Sequence, residues 1–205
     1  MMCNLLACDV LLVGSSVARG QAAPSGKGWG ELLAKELRNK YGFQMVNAAI
    51  PGTDTTATLQ AMKVALKTCK PCAVVIGLSL ANEGLFLARD VSEIDRVRDR
   101  FLDGMQKLAE TAQASGAMPV IGGVYPNDFY EPVHAQTLRS VEATMRGWTT
   151  SRGWKYISFL SALDDGEGRW QRGLSADPSH PNEEGHKAMF DAIDISLFDE
   201  LVKRT

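Results

Sequence analysis

The chain has 205 residues, of which 45% are hydrophobic, and a chain of this length and composition can form one domain with a sizeable core. Its 22 basic and 24 acidic side chains give a formal net charge of −2 and are interspersed along the sequence. Because no basic patch stands out, the composition argues against a nucleic-acid partner.

The N-terminal stretch MMCNLLACDVLLVG is apolar, but Asp9 interrupts it well before the roughly 18 residues that a transmembrane helix needs. It also lacks the basic region that begins a signal peptide. We therefore predict no transmembrane segment and a cytoplasmic location, with a trimmed leader as the alternative. The letters LLAC look like a lipoprotein cleavage box, but Cys8 lies too close to the start of the chain for a signal peptide.

Short runs, most of them rich in Val and Ile, alternate with amphipathic segments along the whole chain. We predict strands at 9–14, 43–49, 73–78, 118–124 and 154–160. We predict helices at 29–42, 56–69, 92–116, 134–151 and 183–203. The third of these helices begins with the capping pattern Ser92-x-x-Asp95 and ends at Gly116. Five such repeats predict a single α/β domain over 1–205, a three-layer α/β/α sandwich with a five-stranded parallel sheet.

Four cysteines, at positions 3, 8, 69 and 72, include the pair CKPC. A redox C-x-x-C normally lies at a helix N-terminus directly after a strand, whereas Cys69 and Cys72 lie between a predicted helix and the next strand. We expect reduced structural thiols there. With three histidines and no second cysteine pair nearby, the sequence gives little support to a zinc site.

Candidate functional residues follow the predicted strands at their carboxyl ends, where ligands bind in open α/β sheets. They are Ser15 and Ser16 after the first strand, Gly52 after the second, Asn82 after the third, and Asp177, His180 and His186 beyond the fifth. A hydroxyl, an imidazole, a carboxylate and amide donors are the components of an acyl-transfer site.

A serine needs a base within hydrogen-bond reach, and the base needs a partner that fixes its tautomer. Asp177 and His180 are three residues apart in one predicted loop and can supply both. Taken singly, each residue has a structural alternative. A serine after a strand can cap a helix, Asn82 can form an Asx turn, and Gly52 can serve a turn after Pro51.

Four segments together resemble the SGNH hydrolases, also called the GDSL esterase/lipase superfamily, over nearly the whole chain. They are VLLVGSSVARG, VNAAIPGTDT, VVIGLSLANEG and, most specifically, DPSHPNEEGH. The resemblance implies the flavodoxin-like SGNH hydrolase fold and a catalytic triad of Ser16, His180 and Asp177. It also implies an oxyanion hole formed by the backbone N–H of Ser16 together with Gly52 and Asn82. This chemistry requires no metal or organic cofactor.

Two blocks depart from the family pattern. The usual Gly-Asp-Ser is GSS at 14–16, so Ser15 is a rival to Ser16 as the nucleophile. The usual Gly-x-Asn-Asp is LANE at 80–83, where the glycine is missing and Glu83 is one methylene longer than the usual acid.

The predicted function is that of a serine esterase that hydrolyses carboxylic esters with short acyl groups, because no extended apolar lid is visible in a chain of this length. The predicted substrate is a small ester, such as an acylated sugar, a short-chain ester or a lipid. Candidate substrate contacts are Leu80, Leu85, Phe86, Tyr125, Phe129 and Trp170. Trp170 with its neighbours Arg169 and Arg172 also suits a sugar, or Trp170 simply anchors the loop.

Other functions are compatible with the same machinery. A carbohydrate O-deacetylase and a lysophospholipase or thioesterase share the fold and triad, because these fix the reaction type and not the leaving group. Because Ser15 and Glu83 depart from the family pattern, a non-catalytic ligand-binding module is an alternative function. A flavodoxin-like nucleotide binder is disfavoured, because GSSVARGQ after the first strand contains no phosphate-binding glycine motif.

Overall fold

The computed structural model describes residues 9–202, and its centre is a five-stranded parallel sheet. The strands are β1 Val10–Gly14, β2 Met45–Asn47, β3 Ala73–Gly77, β4 Met118–Gly122 and β5 Lys155–Ile157. Their order across the sheet is β2-β1-β3-β4-β5, the doubly wound order of flavodoxin-like folds. The predicted fold class is therefore confirmed.

Helices cover both faces of this sheet. They are α1 Ser16–Arg19, α2 Trp29–Tyr41, α3 Thr55–Ala65, α4 Val91–Ala114, α5 Pro132–Arg152, α6 Leu160–Leu163, α7 Glu183–Asp191 and α8 Asp199–Val202. Short 3₁₀ helices span Leu80–Glu83, Leu85–Leu87 and Ile195–Phe198, and a small antiparallel pair is formed by β6 Ser175–Asp177 and β7 His180–Pro181.

The two faces of the sheet carry separate parts of the core. In β1, Leu11 and Val13 point toward the side covered by α3, α4 and α5. Val10 and Leu12 point toward the side covered by α2 and α7. All four side chains have no exposed surface, which explains why β1 is a continuous apolar run and not an alternating one.

The C-terminal region differs from the prediction of one helix over 183–203. Helix α7 ends at Asp191, and a 3₁₀ helix begins at Ile195. Asp194 causes the new start, because its carboxylate accepts a hydrogen bond from Ser196 N at 3.0 Å and so satisfies a free N–H. Residue 203 lies outside the described residues.

Other helix and strand boundaries differ from the predicted ones by a few residues. Asp90 and not Ser92 caps α4, since Asp90 Oδ1 accepts from Glu93 N at 2.9 Å. The predicted helix 56–69 ends at Ala65, and the two edge strands β2 and β5 are only three residues long.

The oxidation state of the cysteine pair also differs from the expectation. Cys69 is disulfide-bonded and Cys72 is a free thiol, so the prediction of two reduced thiols is wrong for Cys69. The apolar residues 1–8, with Cys3 and Cys8, lie outside the described part. Within residues 9–202, no helix has the length and apolar character that a membrane span requires.

Candidate active site

The chain leaves β1 through a turn that only glycine can form. Gly14 has a φ of 152°, and a Cβ there would lie 2.1 Å from the carbonyl oxygen of Gly77 in β3. The main chains of β1 and β3 thus approach closely at their carboxyl ends. This turn presents Ser16 as the first residue of α1.

A chain of hydrogen bonds connects three side chains at this edge of the sheet. Ser16 Oγ lies 3.1 Å from His180 Nε2. His180 Nδ1 lies 2.9 Å from each oxygen of the Asp177 carboxylate. Because a carboxylate can only accept, the proton of the neutral imidazole lies on Nδ1, which leaves Nε2 to accept from the Ser16 hydroxyl.

Asp177 is held by its own loop as well as by the imidazole. Its Oδ1 accepts from Ser179 N at 2.8 Å and from His180 N at 3.0 Å. Partial burial alone raises the pKa of Asp177, but the hydrogen bonds from Ser179 and His180 outweigh it and hold this pKa below the usual carboxyl value. Asp177 therefore stays charged in mild acid and keeps the Nδ1 proton on His180.

Distant segments fix the loop between Asp177 and His180. The carbonyl oxygen of Pro178 accepts from Asp128 N at 2.9 Å and from the indole N–H of Trp170 at 3.1 Å. Asn127 Nδ2 donates to Ser179 Oγ at 3.1 Å. The loop is thus preorganised before any ligand binds.

Ser15 and Ser16 have different surroundings. Ser15 has no exposed surface, and its hydroxyl has no hydrogen-bond partner among residues 9–202. Ser16 is half-buried and is the hydroxyl that contacts His180. Ser15, the alternative nucleophile, is therefore buried beneath the site.

Asn82 presents its amide nitrogen as a free donor. Its Oδ1 accepts from Ser79 N at 2.9 Å and from the Tyr125 hydroxyl at 3.5 Å. No acceptor for Asn82 Nδ2 occurs among the described residues, and the residue is half-buried. Its carbonyl end is fixed, and its N–H₂ end remains available to a ligand.

Gly52 lies in an exposed turn beside the nucleophile turn. It has a φ of 78°, and the turn closes with Thr53 N donating to Ile50 O at 3.4 Å. Ile50 N and Thr53 Oγ1 both donate to Gly14 O, at 3.0 and 3.3 Å. The Gly52 turn is therefore attached to the residue that precedes Ser15 and Ser16.

The six predicted substrate contacts divide into two groups. Leu80 and Leu85 are fully buried, and Tyr125 and Trp170 are 3% and 5% exposed, so these four are core residues that present almost no surface to a ligand. Phe129 is 56% exposed, and its ring centroid lies 5.9 Å from that of the half-buried Phe86. Of the six predicted contacts, this pair of rings is the part that a ligand can reach.

His186 is a core residue and not part of the hydrogen-bonded chain. It has no exposed surface, its Nδ1 accepts from Trp29 N at 3.3 Å, and its Nε2 donates to Gln21 O at 2.9 Å. Burial lowers the pKa of His186 below the usual histidine value. His186 lies in α7 and connects the segment after α1 to the start of α2 through these two hydrogen bonds.

Sequence reasoning missed the residues that support the site. Ser79 N donates to Asn82 Oδ1 within its own turn, whereas Asn127 and Asp128 bind the Asp177–His180 loop from a segment far away in the chain. The sequence feature that could have identified Ser79 is its position directly after the predicted strand 73–78. Over residues 9–202 no group of three or more His, Cys, Asp or Glu side chains is arranged to hold a metal ion.

Comparisons with known proteins show to which family the chain is similar. Residues 12–188 match the model of the GDSL-like Lipase/Acylhydrolase family. Esterase TesA of Pseudomonas aeruginosa is 27% identical over 173 residues, which cover 84% of this chain and 79% of that protein.

Solved structures share the fold. A crystal structure of TesA has a TM-score of 0.71 at 21% identity and covers 95% of this chain and 98% of its own. A structure of the psychrotrophic esterase EstA from Pseudoalteromonas sp., inhibited by monoethylphosphonate, has a TM-score of 0.67 at 19% identity and covers 96% and 98%. At these identities the likeness concerns the fold alone.

Proposed function

The chain belongs to the GDSL-like lipase/acylhydrolase family and is a carboxylic ester hydrolase, and on this premise we propose that it cleaves esters through an acyl-enzyme formed on Ser16. The observation that carries the proposal is the hydrogen-bonded chain from Ser16 Oγ through His180 to Asp177. It supplies a nucleophile, a base and a partner for the base.

In the first half of the reaction, Ser16 Oγ attacks the ester carbonyl carbon while His180 Nε2 takes the hydroxyl proton. The tetrahedral intermediate collapses when His180 returns that proton to the alcohol oxygen. The C–O bond of the ester breaks, the alcohol leaves, and the acyl group remains on Ser16. Asp177 stabilises the transient imidazolium and keeps its orientation.

In the second half, water replaces the alcohol. His180 takes a proton from the water, whose oxygen attacks the acyl carbon, and then returns the proton to Ser16 Oγ as the acid leaves. In both halves the negative charge develops on the carbonyl oxygen. We assign its stabilisation to the N–H groups of Ser16 and Gly52 and to Asn82 Nδ2. The free Nδ2 of Asn82 supports that assignment.

For the acyl group we propose a short chain, bound against Phe86 and Phe129. Phe86 belongs to the 3₁₀ helix that follows Asn82, and Phe129 adjoins Asp128, which hydrogen-bonds the Asp177–His180 loop. These rings offer an open apolar surface, which suits a small acyl group better than a long chain that needs an enclosed tunnel. A sugar is less well supported, because Trp170 is buried and its indole N–H is occupied by Pro178 O.

A series of p-nitrophenyl esters from acetate to laurate, together with a panel of O-acetylated sugars, tests this function. We expect kcat/KM to be highest for the shortest acyl chains and to be abolished in Ser16→Ala. We also expect Phe129→Ala to raise KM for the short esters. No turnover of any ester would favour the binding module, and a maximum at the longest chains would contradict the short-acyl proposal.

A further inference from the structure

We propose that Glu83 is a positioning residue that holds two segments of the oxyanion hole, residues 50–55 and 79–83, at a fixed distance from each other. The inference rests on the proposed function, because it matters for turnover only if Gly52 and Asn82 stabilise the oxyanion.

The Glu83 carboxylate bridges these segments directly. Its Oε1 accepts from Thr55 N at 2.7 Å and from Thr55 Oγ1 at 2.5 Å. Thr55 begins α3, three residues after Gly52, and Glu83 directly follows Asn82 in its 3₁₀ helix. A shift of the Glu83 side chain would therefore change the distance between the Gly52 turn and the Asn82 amide.

Arg100 of α4 binds the second oxygen of the Glu83 carboxylate and the Glu83 backbone carbonyl. Its Nε donates to Glu83 Oε2 at 2.7 Å, and its Nη2 donates to the Glu83 carbonyl oxygen at 2.5 Å. The Glu83 side chain is 1% exposed and that of Arg100 is 55% exposed. A buried carboxylate is stable only when it is paired and fully hydrogen-bonded, and here both of its oxygens are engaged.

Gly104 of α4 packs directly against Thr55 at the start of α3. A Cβ on Gly104 would lie 2.1 Å from Thr55 Oγ1, so any side chain there would push the start of α3 away from α4. Gly104 is one helical turn beyond Arg100 on the same face of α4. The close approach of α3 and α4 is what allows one carboxylate to reach both Thr55 and Arg100.

The test compares Glu83→Gln with a matched control, Glu142→Gln. Glu142 is also a carboxylate that accepts from a hydroxyl, Ser158 Oγ at 2.7 Å, and from an arginine, Arg146 Nε at 3.3 Å. It contacts neither oxyanion segment. We expect Glu83→Gln to lower kcat about 10-fold or more, since small misplacements of catalytic groups are costly, and to leave KM within about twofold.

A boronic acid that mimics the tetrahedral intermediate gives a second readout. We expect its affinity to fall in parallel with kcat in Glu83→Gln, and we expect neither quantity to change in Glu142→Gln. A purely structural role would lower the unfolding temperature without this selective loss of transition-state binding. Unchanged kcat in a folded Glu83→Gln protein would overturn the inference.

A double-mutant cycle with Asn82→Ala shows whether Glu83 acts through the oxyanion segments. If it does, Glu83→Gln lowers kcat by a clearly smaller factor in the Asn82→Ala background than in the wild type. Fully multiplicative effects would contradict the inference. The proposed function fails separately: if Asn82→Ala retains wild-type kcat, the oxyanion assignment itself is wrong, whatever Glu83→Gln does.

If Glu83→Gln does not fold, Thr55 decides the question. Thr55→Ser keeps the hydroxyl that donates to Glu83, and Thr55→Val removes it at nearly constant volume. We expect Thr55→Ser to retain kcat and Thr55→Val to lower it several-fold at unchanged KM. Equal kcat values for the two variants would overturn the inference.

Discussion

Ser16 Oγ and His180 Nε2 lie 3.1 Å apart although 164 positions separate these two residues in the chain. The first strand of the sheet delivers Ser16, and the β6–β7 pair after the fifth strand delivers His180. The contact therefore exists only in the folded chain.

Ser15→Ala separates the two neighbouring serines. Because the Ser15 hydroxyl is buried without a hydrogen-bond partner among the described residues, its removal should leave kcat unchanged. The free energy of unfolding should stay the same or rise by about 1 kcal/mol, since an unsatisfied buried hydroxyl is unfavourable. Ester hydrolysis and urea unfolding measure both quantities, and a large loss of kcat in a folded Ser15→Ala protein would revive Ser15 as the nucleophile.

Asp177→Asn tests the orientation of the imidazole. An amide in place of the carboxylate removes the charge that stabilises the imidazolium and permits the wrong tautomer, so kcat should fall by a factor of at least about 100. Asp165→Asn is the matched control, because Asp165 Oδ1 also accepts two backbone N–H groups of its own loop, from Glu167 and Arg169. Equal kcat values for the two variants would reduce the triad to a dyad.

Asn82→Ala tests the oxyanion donor. Loss of one such donor should lower kcat about 100-fold or more, which is about 2.7 kcal/mol at the barrier, with little change in KM. Steady-state kinetics with a short p-nitrophenyl ester measures this. If KM rose and kcat stayed constant, Asn82 would bind the substrate equally in the ground state and the transition state.

Gly52→Ala tests the second donor, whose backbone N–H is kept by alanine. The space around Gly52 is open, so a methyl group meets no neighbour. Its φ of 78° is nevertheless unfavourable for alanine. We expect a shifted turn and a lower kcat with a small loss of stability. A kcat equal to that of the wild type would contradict the expected shift of the turn.

His186 should make stability depend on pH. Burial lowers its pKa in the folded state, so the unfolded chain binds a proton at higher pH than the folded chain does. The free energy of unfolding should therefore fall as pH drops below about 6.5, by up to about 1.4 kcal/mol per pH unit. Urea unfolding from pH 8 to pH 5 should give a shallower pH dependence for His186→Gln than for the wild type. Parallel curves would mean that another group is responsible.

Much of the fold was predictable because buried parallel strands leave a strong apolar signal in the sequence. All five predicted strands are present in the sheet, and Ser16, Asp177 and His180, which the family resemblance implies, lie within hydrogen-bond reach of one another. The break at Asp194 was missed because a short polar side chain that caps a new turn interrupts a helical pattern without changing its hydrophobicity.

The substrate surface was predicted less well. Leu80, Leu85, Tyr125 and Trp170 looked like pocket residues because they are apolar and follow strands, yet their burial depends on segments far away in the chain. Trp170, for example, is fixed by Asp128 and Pro178. The single-domain organisation and the cytoplasmic location stay predictions.

Covalent labelling with an ethyl p-nitrophenyl phosphonate tests the central claim, that Ser16 is the nucleophile, most directly. The reagent should phosphonylate one site, and peptide mass spectrometry should locate the added mass on Ser16 with a parallel loss of esterase activity. Ser16→Ala should stay unlabelled, and His180→Ala should react much more slowly, because the hydroxyl loses its base. An adduct on Ser15, or full inactivation with Ser16 unmodified, would contradict the account.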